Sequence, residues 1–246
     1  MSTLARRAAA EFTGTAFLVM AVVGSGVMAS RLSPDDVGLQ LLQNSFATGA
    51  ALVALIVALQ PVSASFNPVV TLAERLLGVL DTRTAAGLIA AQFAGGLAGT
   101  VLANLMFGLD AVTFSSHERI GAGLWLGEVI ATAGLLVIVF GTLRSGRADR
   151  VAFAVGGYIT AAYWFTSSTS FANPAVTAAR TVTDTFAGIA PASAPAFILA
   201  QLLGGAVGFV LVRVLYPAPA ALARANLLPA HDEPANEYPL AKDQSR

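Results

Sequence analysis

Two short segments that contain Asn-Pro carry the residues best suited to chemistry. They read FNPVVTLAER over residues 66–75 and ANPAVTAAR over residues 172–180. Asn is a strong helix N-cap because its side-chain oxygen accepts hydrogen bonds from first-turn amides, and Pro suits the first helical position. Each segment predicts a helix of about ten residues, roughly 15 Å or half a bilayer core. The starts of these helices are Asn67 and Asn173.

Two such helix starts that meet in a bilayer would form a site for neutral hydrogen-bond acceptors. Their positive dipole ends and amide donors would converge on one point and repel cations, including a hopping proton. A single Asn-Pro pair usually marks an ordinary turn between two spans. Here the pair occurs twice in matching places and is followed each time by Val-Thr, two residues after the Pro. The repetition favours the paired site.

The distribution of charge predicts the elements that position these segments. The chain has 246 residues, of which 56% are hydrophobic and 11% charged. A membrane-spanning helix needs roughly 20 apolar residues, so the chain is predicted to be a polytopic membrane protein. Its 14 basic and 14 acidic residues leave no surplus for nucleic-acid binding, and it has no cysteine for a disulfide scaffold or thiol chemistry. The stretches without charge are 12–30, 37–73, 84–109, 129–143, 151–179 and 185–212.

The sequence also repeats itself. Glu11, with Thr15 four residues later, recurs as Glu128 with Thr132, and AQFAGG at 91–96 recurs as AQLLGG at 200–205. The halves are about residues 8–110 and 120–216, which are predicted to form one domain over 1–216. Each half contains three spans, and an odd number inverts the second half in the membrane. The predicted spans are about 10–29, 40–60, 85–108, 120–143, 151–169 and 192–215.

The predicted fold is therefore an all-α membrane protein, with six transmembrane helices and two re-entrant half-helices in two inverted repeats. Eleven basic residues fall on the cytoplasmic side and three on the outer side if the N-terminus is inside. This bias predicts a multi-pass protein of the cell membrane with both termini in the cytoplasm. Residues 217–246 are rich in Pro and polar residues, and are predicted to be a disordered cytoplasmic tail.

The longer strings PVSASFNPVVTLAER and TSSTSFANPAVTAAR resemble the two Asn-Pro-Ala loops of the aquaporin and aquaglyceroporin, or major intrinsic protein, family. The resemblance covers about residues 8–216. It implies a homotetrameric passive channel in the lipid bilayer for water, glycerol, urea or hydroxides such as arsenous acid, without a cofactor. Val69 stands where the family usually has Ala, and Ser65 stands where a histidine is common. The implied pore motif is Asn67, Pro68, Val69, Asn173, Pro174 and Ala175.

The family's selectivity filter can be carried over by spacing from the motif Asn residues. Val176 is counted directly from Asn173 and stands where the family has Arg. At the positions on the second and fifth spans, an alignment shifted by one residue would give Phe46 or Ala162 instead, and both alternatives stay open. The side chains at the four filter positions are small and almost uncharged. The resemblance therefore implies a wide pore that suits polyols, urea or neutral hydroxides at least as well as water. The filter positions are Ala47, Ala161, Ser170 and Val176.

Arg180 follows Val176 by four residues and shares its helix face. One interpretation places its positive charge in the outer vestibule, and the other makes it a cap that binds loop carbonyls at the end of the half-helix. Both stay open from sequence alone. Arg75, eight residues after Asn67, is predicted to be its near-counterpart on the cytoplasmic side, as a cap or ion-pair partner.

Glu11 and Glu128 are predicted to be the acidic residues within the spans, where a carboxylate is costly and marks a function or a partner. The resemblance implies loop support, in which each accepts hydrogen bonds from backbone amides of its neighbouring re-entrant loop. The alternative is an inverted-repeat secondary transporter coupled through these two residues. An enzyme is not expected, because His117 and His231 fall in a loop and the tail and form no catalytic or metal constellation.

Overall fold

The computed structural model describes residues 3–216, and this part of the chain is built of α-helices without a β-strand. The predicted tail at 217–246 lies outside the described residues. The all-helical prediction is confirmed for the described part. The helices are α1 (Thr3–Leu32), α2 (Val37–Leu59), α3 (Pro68–Leu76), α4 (Thr82–Met106), α5 (Ala122–Arg144), α6 (Val151–Phe165), α7 (Pro174–Ala179) and α8 (Ala194–Leu215).

Five of these helices, α1, α2, α4, α5 and α8, are long and apolar enough to cross a membrane. Large apolar side chains such as Phe17, Leu42 and Val214 lie exposed on their outer faces. Such a surface suits lipid and would be unfavourable in water. The chain is therefore a multi-pass membrane protein. Helix α6 has 15 residues, which corresponds to about 22 Å of helix.

The helices pack in two matching sets. Helix α1 packs against α2 and α4, α5 packs against α6 and α8, and a contact between α2 and α6 joins the sets. Glycines permit the closest crossings: a Cβ atom on Gly95 would collide with the carbonyl of Phe12, and one on Gly204 with the carbonyl of Val129. These glycines belong to the repeated Gly-Gly pairs. The two halves of the sequence therefore fold in the same way.

The two short helices lie inside this frame. Helix α3 has nine residues and ends before Gly78, whose φ of 74° is left-handed. Helix α7 has six residues and continues into a 3-10 turn over Arg180–Val182. Both contact each other and the long helices α4 and α8. Most of their side chains are buried, so the N-termini of both helices are held in the interior.

Candidate pore

Each short helix begins at the predicted asparagine. The Asn67 side-chain oxygen accepts a hydrogen bond from the Val69 N–H at 2.9 Å. The Asn173 oxygen accepts from the N–H groups of Ala175 at 3.0 Å and Val176 at 3.2 Å. Pro occupies the first helical position in both, where no N–H is needed. The N-caps satisfy donors that a buried helix start would otherwise leave unpaired.

The two asparagines also tie the helix starts together. Asn67 Nδ2 donates to the carbonyl of Ala172 at 2.8 Å, and Asn173 Nδ2 donates to the carbonyl of Phe66 at 2.7 Å. A primary amide carries two N–H donors, so each side chain keeps one donor beyond this crossed pair. Both asparagines line the central cavity. The helix starts therefore meet at the cavity with a donor on each side.

The residues before the two asparagines have an unusual backbone. Phe66 has a φ of 48° and Ala172 a φ of 50°, both in the left-handed region. This conformation costs a residue other than Gly roughly 1–2 kcal/mol, so neighbouring contacts must hold it. The carbonyls of these residues accept the crossed asparagine bonds. Their N–H groups are held by the two buried glutamates.

Glu11 and Glu128 hold the two loops in the same way. Glu11 accepts from the N–H of Phe66 at 2.7 Å and of Ser65 at 2.8 Å. Glu128 accepts from the N–H of Ala172 at 2.8 Å and of Phe171 at 2.9 Å. Both carboxylates are fully buried. This is the contact pattern expected of loop support, and neither glutamate lines the central cavity.

Two glutamines complete the network. Gln92 Nε2 donates to Glu11 at 2.8 Å and to the Thr71 hydroxyl at 2.9 Å. Gln201 Nε2 donates to Glu128 at 2.6 Å and to the Thr177 hydroxyl at 2.7 Å. Each glutamine thus links a loop glutamate to the helix that the loop precedes. Sequence reasoning missed both glutamines, although their Ala-Gln pairs are part of the repeat.

Replacing Glu128 by glutamine is expected to destabilise the protein. An amide in place of the carboxylate turns a donor toward loop N–H groups, and each buried donor left unpaired costs about 1–3 kcal/mol. The thermal midpoint of the purified protein in detergent should fall, and Glu11→Gln should act similarly at the matching loop. Glu118→Gln is the control, because Glu118 is exposed. Normal stability with lost transport would instead favour the coupled transporter.

The central cavity follows one face of each short helix. Both helices contribute the asparagine and the residues three and seven positions later, a spacing that keeps side chains on one helix face. The two series differ only at their ends, where one has a carboxylate and the other a guanidinium. At α3 they are its N-cap Asn67, Val70 and Glu74, and at α7 they are its N-cap Asn173, Val176 and Arg180 of the 3-10 turn that follows.

A second cavity adjoins the Arg180 end. Tyr163 and Arg180 line both cavities, so these two side chains stand where the cavities adjoin. Arg180 is only 3% exposed, and its guanidinium lies 3.4 Å from the ring centroid of Phe171. Its Nε also donates to the carbonyl of Ala187 in the following loop. The structure thus combines both interpretations of Arg180, since one side chain holds a loop carbonyl and borders the cavity.

The predicted filter residues are placed unequally. Ser170 and Val176 line the cavity, and the buried Ser170 hydroxyl has no hydrogen-bond partner among the described residues. Ala47 and Ala161 lie outside the lining, and Ala161 is exposed. On the same two helices the cavity is lined by Thr48 and Tyr163, whose hydroxyl oxygens lie 3.2 Å apart.

The difference follows from helix geometry. One residue turns a helix by about 100°, so the cavity-lining Thr48 and Tyr163, one residue after Ala47 and two after Ala161, lie on a different face of each helix. With Tyr163 and Arg180 in place, this end of the cavity carries a phenol and a guanidinium, in contrast to the small, uncharged set expected.

The remaining motif residues support the helix starts. Pro68, Val69, Pro174 and Ala175 are buried and do not line the cavity. The Val69 side chain packs where a Cβ atom on Gly205 would collide with it. This contact places Val69 against a glycine of the repeated Gly-Gly pair. Val69 stands where the family that the sequence resembles usually has Ala.

Glu74 is the residue that sequence reasoning missed at the other end of the cavity. Counting back from Arg180 by the repeat offset of 106 gives Glu74, and not Arg75 as predicted. Glu74 is 5% exposed and lines the cavity, and its Oε2 accepts from the Ser65 hydroxyl at 3.1 Å. Arg75 turns away to donate to the Thr82 hydroxyl at 2.8 Å. The repeat offset was the signal for Glu74.

A helical bundle whose two capped helix starts meet at an interior cavity defines a membrane channel. The chain belongs to the major intrinsic protein family, whose model matches residues 1–156. It is 50% identical over 217 residues to aquaglyceroporin AqpS of Rhizobium meliloti, covering 87% of this chain and 92% of the relative. It is 29% identical over 227 residues to aquaporin Z of Rhodopseudomonas palustris, covering 85% and 93%. The resemblance seen in the sequence is confirmed.

A solved structure shares the fold. The X-ray structure of the aquaglyceroporin from Plasmodium falciparum matches 89% of this chain and 99% of its own, with a TM-score of 0.68 and 17% sequence identity. At that identity the match speaks for the fold alone.

Proposed function

We propose that the chain forms a passive channel for small neutral solutes that excludes cations and protons at the paired helix starts. The observation that carries this proposal is the crossed hydrogen bonding of Asn67 and Asn173 at the wall of the central cavity. It places two positive helix ends and two amide donors at one point of the passage. Such a point repels a cation and offers hydrogen bonds to a neutral acceptor.

The proposed architecture has six transmembrane helices and two re-entrant half-helices in inverted repeats. The five long apolar helices and the shorter α6 would cross the membrane, while α3 and α7 would enter it from opposite sides. The matching helix packing of the two halves supports this arrangement. The channel would be a homotetramer in the cell membrane with both termini in the cytoplasm. With that orientation Arg180 lies toward the outside and Glu74 toward the cytoplasm.

Glycerol and water are the proposed solutes, with urea and neutral hydroxides as further candidates. Apolar side chains such as Val70 and Val176 line much of the cavity, and Thr48, Tyr163 and Ser170 add hydroxyl-bearing side chains to its lining. A polyol has both carbon atoms and hydroxyl groups to match such a lining. The name of the relative that is 50% identical, an aquaglyceroporin, agrees with this choice.

The alternative of a coupled secondary transporter finds no support. Coupling through Glu11 and Glu128 requires that they reach the solute path, and both lie outside the cavity lining. Their oxygens accept hydrogen bonds from loop amides and glutamines. They are better suited to hold the loops than to exchange a proton with a passing solute.

Stopped-flow light scattering of proteoliposomes tests the proposed function. Vesicles with the purified protein should respond to gradients of water, glycerol and urea faster than protein-free vesicles of the same lipid. The rate should stay proportional to the solute gradient and should not depend on a proton gradient. Flux that saturates at low solute concentration, or that stops when the proton gradient is removed, would rule out a passive channel.

A further inference from the structure

Glu74 is a buried carboxylate that faces the solute path and is left unexplained by the proposed cation exclusion. It occupies the seventh position after Asn67, where the other half of the repeat has Arg180. Among the residues that line the central cavity, it alone carries an acidic side chain. The cavity is thus bordered by a negative group at one end and a positive group at the other.

The carboxylate is not neutralised by an ion pair. Within residues 3–216, no basic group lies within salt-bridge distance of it, and its one hydrogen bond is from Ser65 to Oε2. Arg7 and Glu11 are the charged side chains close enough to act on it. Their charges are opposite and act on Glu74 in opposite directions. A buried carboxylate without an ion-pair partner is costly, and contact with a solvated passage lowers that cost.

The rest of the passage has the opposite sign. The starts of α3 and α7 direct their positive ends at the middle of the cavity, and Arg180 adds a full positive charge near the Tyr163 end. This field repels cations, but it attracts small anions of the size of the neutral solutes. A channel that passes only neutral solutes therefore needs a second electrostatic barrier.

We propose that Glu74 is a specificity-determining residue that excludes inorganic anions at the inner end of the pore. This inference rests on the proposed channel function and extends it to anions, which the positive helix starts do not repel. An anion that enters from the cytoplasmic side meets the carboxylate before it reaches the positive centre. A neutral polyol can donate a hydrogen bond to the same carboxylate and pass.

The test compares nitrate and chloride entry into proteoliposomes that contain wild-type protein or Glu74→Gln. Vesicles are placed in the potassium salt with valinomycin, so that potassium crosses freely and anion entry limits swelling. The glutamine removes the charge and keeps the size of the side chain. We expect anion entry to rise about tenfold or more, because one fixed charge at a narrow passage changes the local ion concentration by that order.

Three further variants make the result specific. Glu74→Asp keeps the carboxylate and should stay close to wild type. Asp149→Asn removes an acidic charge from an exposed position before α6, and should leave anion entry unchanged. Glu74→Ser removes the charge in a second way, so that misfolding of one variant does not decide the test. Glycerol flux in the same vesicles identifies the folded channels.

The outcomes separate the two proposals. If wild type conducts neither water nor glycerol nor urea, the proposed function fails. If glycerol flux is present and the charge-removing variants admit nitrate and chloride as slowly as wild type does, Glu74 is not the anion barrier. Rapid anion entry through wild type itself also overturns the inference. Higher anion entry in Glu74→Gln and Glu74→Ser, with glycerol flux retained and the aspartate variant tight, supports it.

Discussion

Replacing Val176 by arginine is expected to lower glycerol permeability about tenfold or more and water permeability far less, since a barrier increase of about 1.4 kcal/mol already gives a factor of ten. Val176 lies in the first turn of α7 and lines the cavity between Asn173 and Arg180. A longer side chain at this position has to project into the passage. It would also bring a second positive charge next to Arg180, whose buried side chain has no room to move away.

The reason for the difference between solutes is size. Water needs a smaller opening than glycerol, and adding groups to a tightly packed site costs about 1–3 kcal/mol, which only the larger solute would meet in full. The measurement is the rate of vesicle shrinkage and re-swelling with each solute, normalised to the amount of reconstituted protein. Val176→Leu enlarges the side chain without charge and separates the two contributions. If arginine reduces both fluxes equally, Val176 does not control the width of the passage.

The paired helix starts could be predicted from the sequence because their signals are local. The pair Asn-Pro predicts both the N-cap and the first residue of a helix. The two copies of the segment, each accompanied by a glutamate at Glu11 or Glu128, indicate that the two helix starts meet. The structure adds the crossed bonds of Asn67 and Asn173 to the carbonyls before each partner. Those bonds depend on a left-handed residue in each loop, which nothing in the types Phe66 and Ala172 signals.

The residues that line the outer end of the cavity were harder to predict, because they depend on how each helix is rotated about its axis. The position of Val176 was certain because it is fixed by its own helix start three residues earlier. Thr48 and Tyr163 lie on α2 and α6, which carry no such marker, and an error of one or two residues moves the predicted position to another face. Glu74 was missed for a different reason: its helix has the Asn67 marker, but its neighbour Arg75 looked like the partner of Arg180 until the repeat was counted residue by residue.

Replacing Asn67 by aspartate is expected to weaken cation exclusion about tenfold or more, because it puts a full negative charge where two helix ends supply only about half a positive charge each. The aspartate can still accept from the Val69 N–H and so keeps the cap of α3. It cannot make the bond from Asn67 Nδ2 to the Ala172 carbonyl while it is ionised. The charge change and the lost donor act at the same point of the passage.

A matched control exists in the same protein. Asn104 is equally buried and donates to the carbonyls of Ala111 and Val182, but it lies outside both cavities. Asn104→Asp therefore removes comparable hydrogen bonds without placing charge in the passage. Sodium and proton leak, followed with trapped fluorescent indicators, should increase in Asn67→Asp and stay at the wild-type rate in Asn104→Asp. Equal leak in the two variants would mean that general loosening, and not the electrostatics of the helix starts, sets ion exclusion.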